Sequence, residues 1–209
     1  MPASTTRTSA SSTSSKNQII EMLKADHKKV KKAFKDFEKL DPQEDADTCQ
    51  SIVEQTCADL EVHAELEEQV FYPAARGALK EADLVDEAEV EHMTAKVLIE
   101  QLKGMDTEDE KFAATFKVLG EYINHHVKEE ENEMFKQLTR PGVDWDDVLE
   151  QMQTHRAQLL DEHGLPAEED GPAQATSTRS APSRHAASSG RDDARPQAAS
   201  GKTRSSNKD

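Results

Sequence analysis

The chain has 209 residues, 34% apolar and 33% charged, with a formal net charge of −16. That length suits one ordinary domain plus tails, and the near-even split demands a narrow core beneath heavily charged faces. The charge is uneven: residues 171–209 hold seven Lys and Arg against three Asp and residues 1–15 hold only Arg7, leaving 18 bases against 39 acids, a net of −21, in residues 16–170; such a surface repels nucleic acid and anionic membrane and attracts cations.

Residues 1–16 are Ser/Thr-rich without an apolar run, so they do not read as a secretory signal and are expected to be disordered. Periodicity then predicts five helices. The first spans about 17–40 with the stripe Ile20, Leu23, His27, Val30, Phe34, Phe37, and Asp41-Pro42 stops it. The second spans about 46–79, with Asp45 or Asp47 as N-cap and the stripe Val53, Thr56, Leu60, His63, Glu67, Val70, Ala74. Pro73 should kink it or end it early. The third, about 82–103, carries Val85, Ala88, His92, Ala95, Ile99 and Leu102 and ends at Gly104. The fourth, about 108–138, carries Phe112, Phe116, Leu119, Ile123, His126, Glu130, Met134 and Leu138 before Pro141-Gly142. A fifth, within 143–164, opens at Asp144-Trp145 and closes at Gly164, with the stripe Trp145, Val148, Met152, His155, Leu159.

No segment alternates as a strand. The expected fold is all-α: an up-down-up-down antiparallel four-helix bundle over 17–140, an accessory C-terminal helix over 143–164, and a disordered Ser/Ala/Arg-rich tail over 165–209. Cys49 and Cys57 would lie roughly 12 Å apart on one helix at 1.5 Å per residue, too far for a disulfide. Two unpaired thiols and no run of membrane-spanning length point to a cytoplasmic protein.

The histidines carry the chemistry. His27 precedes His63 by 36 residues and His92 precedes His126 by 34; each second His opens a His-x-x-x-Glu, ending at Glu67 and Glu130. Each lone His follows an acid, Asp26 or Glu91, and the repetition suggests a duplicated helical hairpin. A single His on an apolar stripe is ordinarily a hydrogen-bonded core residue. Four of them with two buried carboxylates are different, because unpaired buried carboxylates are costly and a metal offsets that cost. On each His-x-x-x-Glu helix the imidazole and carboxylate share a face one turn apart. Such donors suit iron, zinc or manganese. His125 lies off the seam as a surface neighbour. Glu68 and Glu131 are also off the seam, as neighbours or alternative ligands. Tyr72 reads as apolar filler or as a hydrogen-bonding neighbour of a bound ligand, and His155 belongs to the outer helix.

These motifs, Leu23-Lys-Ala-Asp26-His27, His63-x-x-x-Glu67-Glu68-x-x-Phe71-Tyr72-Pro73, Glu91-His92 and His126-x-x-x-Glu130-Glu131, resemble the hemerythrin-like, or HHE cation-binding, domain over roughly residues 20–138. The resemblance implies a four-helix bundle around a non-haem di-iron centre. His27, His63, His92 and His126 would be terminal ligands, and Glu67 and Glu130 would bridge. The chain departs from the family's oxygen carriers at Lys96, where they have a further His, and at Glu130, four residues after His126 where they have Asp five after. One imidazole fewer implies a further open position, favouring reaction with oxygen, peroxide or nitric oxide; an exposed Lys96 with no role at the site is the plainer alternative. Three functions remain in view: a di-iron protein that binds or senses oxygen, nitric oxide or peroxide or handles iron; a di-iron enzyme of peroxidase, oxidase or nitric-oxide reductase type; and an adaptor whose tail finds a protein partner. No membrane and no nucleic-acid partner is expected.

Overall fold

The computed structural model describes residues 6–166, which form helices and turns with no strand among them. Helix α1 is Thr6–Phe37. A second rod joins α2 (Ala46–Leu66), a π-helical turn at Glu67–Phe71 and α3 (Tyr72–Ala78). Next comes α4 (Asp83–Lys103). The fourth rod joins α5 (Phe112–Glu129), a π-helical turn at Glu130–Met134 and α6 (Phe135–Gln137). α1 and α4 each pack against both α2 and α5, which closes a four-membered ring. The short connections 38–45, 79–82 and 104–111 reverse the chain between neighbours. α7 (Trp145–Glu162) lies outside the ring against α1 and α2. No helix among the described residues is long and apolar enough to cross a membrane.

The element ends follow local chemistry with two exceptions. Asp144 caps α7, accepting from the backbone N–H of Asp146 and Asp147 at 3.2 and 3.3 Å. Gly164, at φ 65°, closes α7 in the left-handed conformation that glycine adopts without strain. Asp45 stands at the start of α2 but does not cap it; its carboxylate accepts from Asp41 N at 3.1 Å instead. Helix α1 also begins at Thr6, inside the stretch 1–16 expected to be disordered, of which residues 1–5 lie outside the described residues. That stretch has no apolar stripe and is made of weak helix formers. Its last turn is held by tertiary contacts that no local signal reports: Ser15 Oγ donates to Asp146 at 2.5 Å and Lys16 Nζ donates to the Leu138 carbonyl at 3.0 Å. The tail expected to be disordered lies, from residue 167, outside the described residues.

Pro73 does not end the second rod, which stays helical to Ala78. It stands in the first turn of α3, where its missing N–H is tolerated. Immediately before it, Tyr72 N bonds the Glu67 carbonyl five residues back. The fourth rod makes the same π turn without a proline, with Phe135 N on the Glu130 carbonyl. The proline is therefore not the cause. The inserted residue rotates the remainder of the rod: the expected stripe Val70 and Ala74 is only half-buried, whereas Phe71 and Ala75 are fully buried.

The core is two apolar clusters separated by a polar layer. One holds Ile19, Leu23, Leu66, Phe71, Ala88, Met134, Trp145 and Met152. The other holds Val30, Phe34, Phe37, Leu60, Ala95, Phe116, Ile123 and Val127. On every rod the His comes at the boundary between them. In the second cluster Phe116 packs between Phe34 and Phe37, ring centroids 4.8 and 4.6 Å away. Gly120 leaves room for Phe34; a Cβ there would come within 2.9 Å of that ring. We expect Gly120→Leu to destabilise the fold by about 1–3 kcal/mol through overpacking, measured by urea unfolding. Wild-type stability in that variant would show that Phe34 is not held where described.

Candidate metal centre

The six seam residues His27, His63, Glu67, His92, His126 and Glu130 are all buried and converge on one layer. His27 Nε2 lies 3.2 Å from His63 Nε2, and His92 Nε2 lies 3.2 Å from His126 Nε2. Glu67 Oε2 stands between the pairs, 3.3 Å from His63 Nε2 and 3.4 Å from His92 Nε2. Glu130 Oε2 does the same from the other side, 3.2 Å from His27 Nε2 and 3.9 Å from His126 Nε2. Two groups can thus each hold an ion: His27, His63, Glu67 and Glu130, and then Glu67, His92 and His126. Glu67 belongs to both.

The outward nitrogens explain the orientation. Each Nδ1 faces a carboxylate: His27 to Glu131 at 2.9 Å, His63 to Asp26 at 3.3 Å, His92 to Glu68 at 3.1 Å, and His126 to Glu91 at 2.9 Å. A carboxylate there selects the tautomer with the proton on Nδ1 and turns the Nε2 lone pair inward. The pattern obeys the duplication. The acid before each lone His, Asp26 or Glu91, backs the other His of its own hairpin. The acid after each seam Glu, Glu68 or Glu131, backs the lone His of the opposite hairpin.

This arrangement fits a cation. With the proton of each ring on Nδ1, the paired Nε2 atoms 3.2 Å apart offer two lone pairs to one point, which a cation satisfies. Glu67 Oε1 and both oxygens of Glu130 are buried without a hydrogen-bond donor, which is costly unless something else satisfies them. Burial and the neighbouring Glu130 charge push the Glu67 carboxyl well above the usual carboxylate range. Burial raises Glu130 too, but His27, His126 and His63 outweigh it and hold that carboxyl low. Without a cation, one proton must therefore be kept in the pair.

Two further side chains enter the site. Tyr72 is fully buried, and its hydroxyl lies 3.1 Å from Glu67 Oε2 and 3.3 Å from His92 Nε2. Burial pushes its phenol pKa well above the usual value. The π turn makes this contact, bringing a residue five positions on to the face of Glu67. The equivalent place in the second copy is Phe135, stacked on His27 at 6.2 Å. Lys96 is no idle surface residue: its ammonium donates to both oxygens of Glu68 at 2.7 and 2.6 Å. The His92 hydrogen bond and that ammonium outweigh partial burial and pull Glu68 down to about 2. Lys96 also lines a cavity of about 20 Å³ beside all four imidazoles, otherwise walled largely by Val30, Leu60, Ala95, Ile99, Ile123 and Val127.

The remaining histidines among the described residues stay outside this layer. His125 is exposed, 3.4 Å from Glu91 and 3.2 Å from Glu129. His155 is half-buried on α7, and its Nε2 has no hydrogen-bond partner among the described residues. His163 lies 3.7 Å from Glu61. Asp26, Glu68, Glu91 and Glu131 were legible as residues repeated in both copies beside the ligand motifs. Arg156, whose guanidinium grips Asp26 at 2.7 and 2.6 Å, carries no such signal.

The comparisons agree with the geometry. A solved structure of a hemerythrin HHE cation-binding domain-containing protein from Mycobacterium kansasii shares the fold at a TM-score of 0.58 and 17% identity, covering 68% of this chain and 86% of that one. A curated protein of Nostoc sp. named a DNA nickase is 32% identical over 118 residues, 56% of this chain and 32% of that protein, so the chain spans about a third of that relative. The family model described as "Hemerythrin HHE cation binding domain" matches residues 18–138, more than half of the sequence. With four imidazoles and two carboxylates gathered in one buried layer of that segment, the chain belongs to the hemerythrin HHE cation-binding domain family.

Proposed function

We propose that the chain holds two iron ions, with His27, His63, His92 and His126 as terminal ligands and Glu67 and Glu130 bridging, and that it binds or senses dioxygen, nitric oxide or peroxide. One observation carries the reading: the carboxylates of Glu67 and Glu130, three of whose four oxygens are buried without a hydrogen-bond donor, stand between two imidazole pairs. Six converging nitrogen and oxygen donors exceed what one tetrahedral zinc requires, and mixed imidazole and carboxylate suits iron. The cavity beside the imidazoles supports a small ligand: about 20 Å³ admits something little larger than a water, and its walls are mostly apolar. Iron in such a site supplies redox and ligand-binding chemistry. The chain's own residues orient the imidazoles and keep out bulk water. The buried free thiols of Cys49 and Cys57 fit a reducing compartment, and we assign the protein to the cytoplasm. The nickase name of the Nostoc relative is not carried over. Residues 16–170 carry a net −21, which repels a polyanion.

A second reading, an enzyme of peroxidase, oxidase or nitric-oxide reductase type, is favoured by Tyr72. A phenol between Glu67 and His92 can donate a proton to a ligand bound there. Turnover of hydrogen peroxide or nitric oxide that falls in Tyr72→Phe would select this reading over binding alone.

Protein expressed with iron should contain about two equivalents by elemental analysis, and its visible spectrum should change when nitric oxide is added to the reduced form. Less than half an equivalent of any transition metal would overturn the reading. His63→Ala or His126→Ala should remove most of the metal, whereas His125→Ala should keep both ions, since His125 is exposed. Equal loss in all three variants would assign the ligand to the wrong member of the His125-His126 pair.

Metal removal should lower the melting temperature. At a free metal concentration of about 1,000 Kd the linked stabilisation is about 4 kcal/mol, roughly 10 °C for a domain of this size. Acid should act in two stages. Protons compete with the metal for the ligand atoms, so metal leaves first. Glu68, depressed in the fold, then contributes stability that is present above its ordinary 4.5 and lost as pH falls towards about 2. Metal release and helix content followed together during acid titration check this order; helix loss ahead of metal release would contradict it.

A further inference from the structure

We propose that Arg156 is a positioning residue of the metal centre, fixing Asp26 and through it the ring of His63, so that α7 is a working part of one half of the site. The inference rests on the two-metal reading. It extends the centre beyond residues 18–138, the segment matched to the family.

The argument comes from a place where the duplication breaks. Each of the four carboxylates behind an imidazole has a basic side chain beside it. Lys96, four residues after His92, bonds Glu68 at 2.6 Å. Lys31, four residues after His27, lies 3.8 Å from Glu131. These two are equivalent positions of the repeat. Glu91 has His125, the residue before His126, at 3.4 Å. By the same rule Asp26 should have the residue before His63. That residue is Val62, buried in the apolar cluster that also contains Leu159 and Leu160 of α7. Where the second copy carries an imidazole, the first carries an apolar seat for α7, and α7 supplies a guanidinium one turn away as Arg156.

The replacement is also tighter than what it replaces. The Arg156 and Asp26 side chains are 11% and 10% exposed, against 60% and 20% for His125 and Glu91. Both guanidinium nitrogens engage both Asp26 oxygens, at 2.7 and 2.6 Å. That planar fork sets the carboxylate's plane as well as its place, and Asp26 Oδ2 in turn faces His63 Nδ1 at 3.3 Å. A single ammonium would hold the charge without fixing the plane. The two halves of the centre therefore differ: the His27/His63 half is braced by an outer helix through a buried fork, and the His92/His126 half is edged by exposed side chains.

The test uses the full chain loaded with cobalt(II), with release into excess chelator followed by the cobalt visible bands and by metal content. Wild type should hold two cobalt ions and release them in two resolved phases. In Arg156→Gln one phase should accelerate by at least tenfold, with an altered band shape, while the other keeps its wild-type rate. Arg156→Lys, expected to fold and keep the charge, should restore helix content but not the slow phase. His125→Ala should leave the phase sensitive to Arg156 unchanged. A folded Arg156→Gln or Arg156→Lys with wild-type release and spectrum, or with both phases accelerated equally, would overturn the proposal while leaving the two-metal reading intact. Wild type that holds fewer than two cobalt ions would overturn that reading, and this one with it.

Discussion

The arrangement depends on one constraint: six metal-seeking groups occupy a single buried layer that divides the apolar core in two. Four imidazoles and two carboxylates point at one another there, 3.2–3.4 Å apart. Burying such groups without partners costs several kcal/mol. The apolar clusters on either side, with Phe71 and Leu66 on one and Phe34 and Phe116 on the other, hold the helices together across the layer. The packing thus places the donors, and a cation offsets the cost of placing them.

Much of the surrounding sequence is explained by keeping those donors oriented. Every inward Nε2 has an outward Nδ1 on a carboxylate, and every such carboxylate has a basic side chain beside it. The high acid content is therefore not only a solvated exterior. Asp26, Glu68, Glu91 and Glu131 fix imidazole tautomers. The π turns serve the same end: by adding one residue after Glu67 and after Glu130, they bring Tyr72 and Phe135 onto the face of the layer. The copies diverge there. A hydroxyl meets the His92 side and a hydrocarbon ring meets the His27 side, so a duplicated scaffold presents two chemically different halves.

The bundle and the six seam residues were legible because helical periodicity and ligand spacing are local. His63 and Glu67, or His126 and Glu130, share a face whatever packs against it. What could not be read depended on contacts between distant segments or on a departure from 3.6 residues per turn. The π turn moved burial from Val70 and Ala74 to Phe71 and Ala75, and no proline or glycine signals it in the second copy. The turn of α1 at Ser15 and Lys16 is tied to Asp146 and Leu138, more than a hundred residues away. Arg156 bridges 130 positions to reach Asp26. Glu68 and Glu131 point off the seam in an ideal helix, yet each reaches the imidazole of a neighbouring helix. Their repetition beside the ligand motifs was visible in the sequence, and their task was not.

The central claim is that two ions lie side by side, sharing Glu67 and Glu130. Anomalous diffraction at the metal absorption edge, from crystals of the iron-loaded full chain, tests it most directly. The account predicts two anomalous peaks about 3.5–4 Å apart, the usual spacing of paired-metal sites, one beside His27 and His63 and the other beside His92 and His126, with Glu67 and Glu130 reaching both. A single peak, or two peaks separated by more than about 6 Å, beyond the span of one bridging carboxylate, would contradict it.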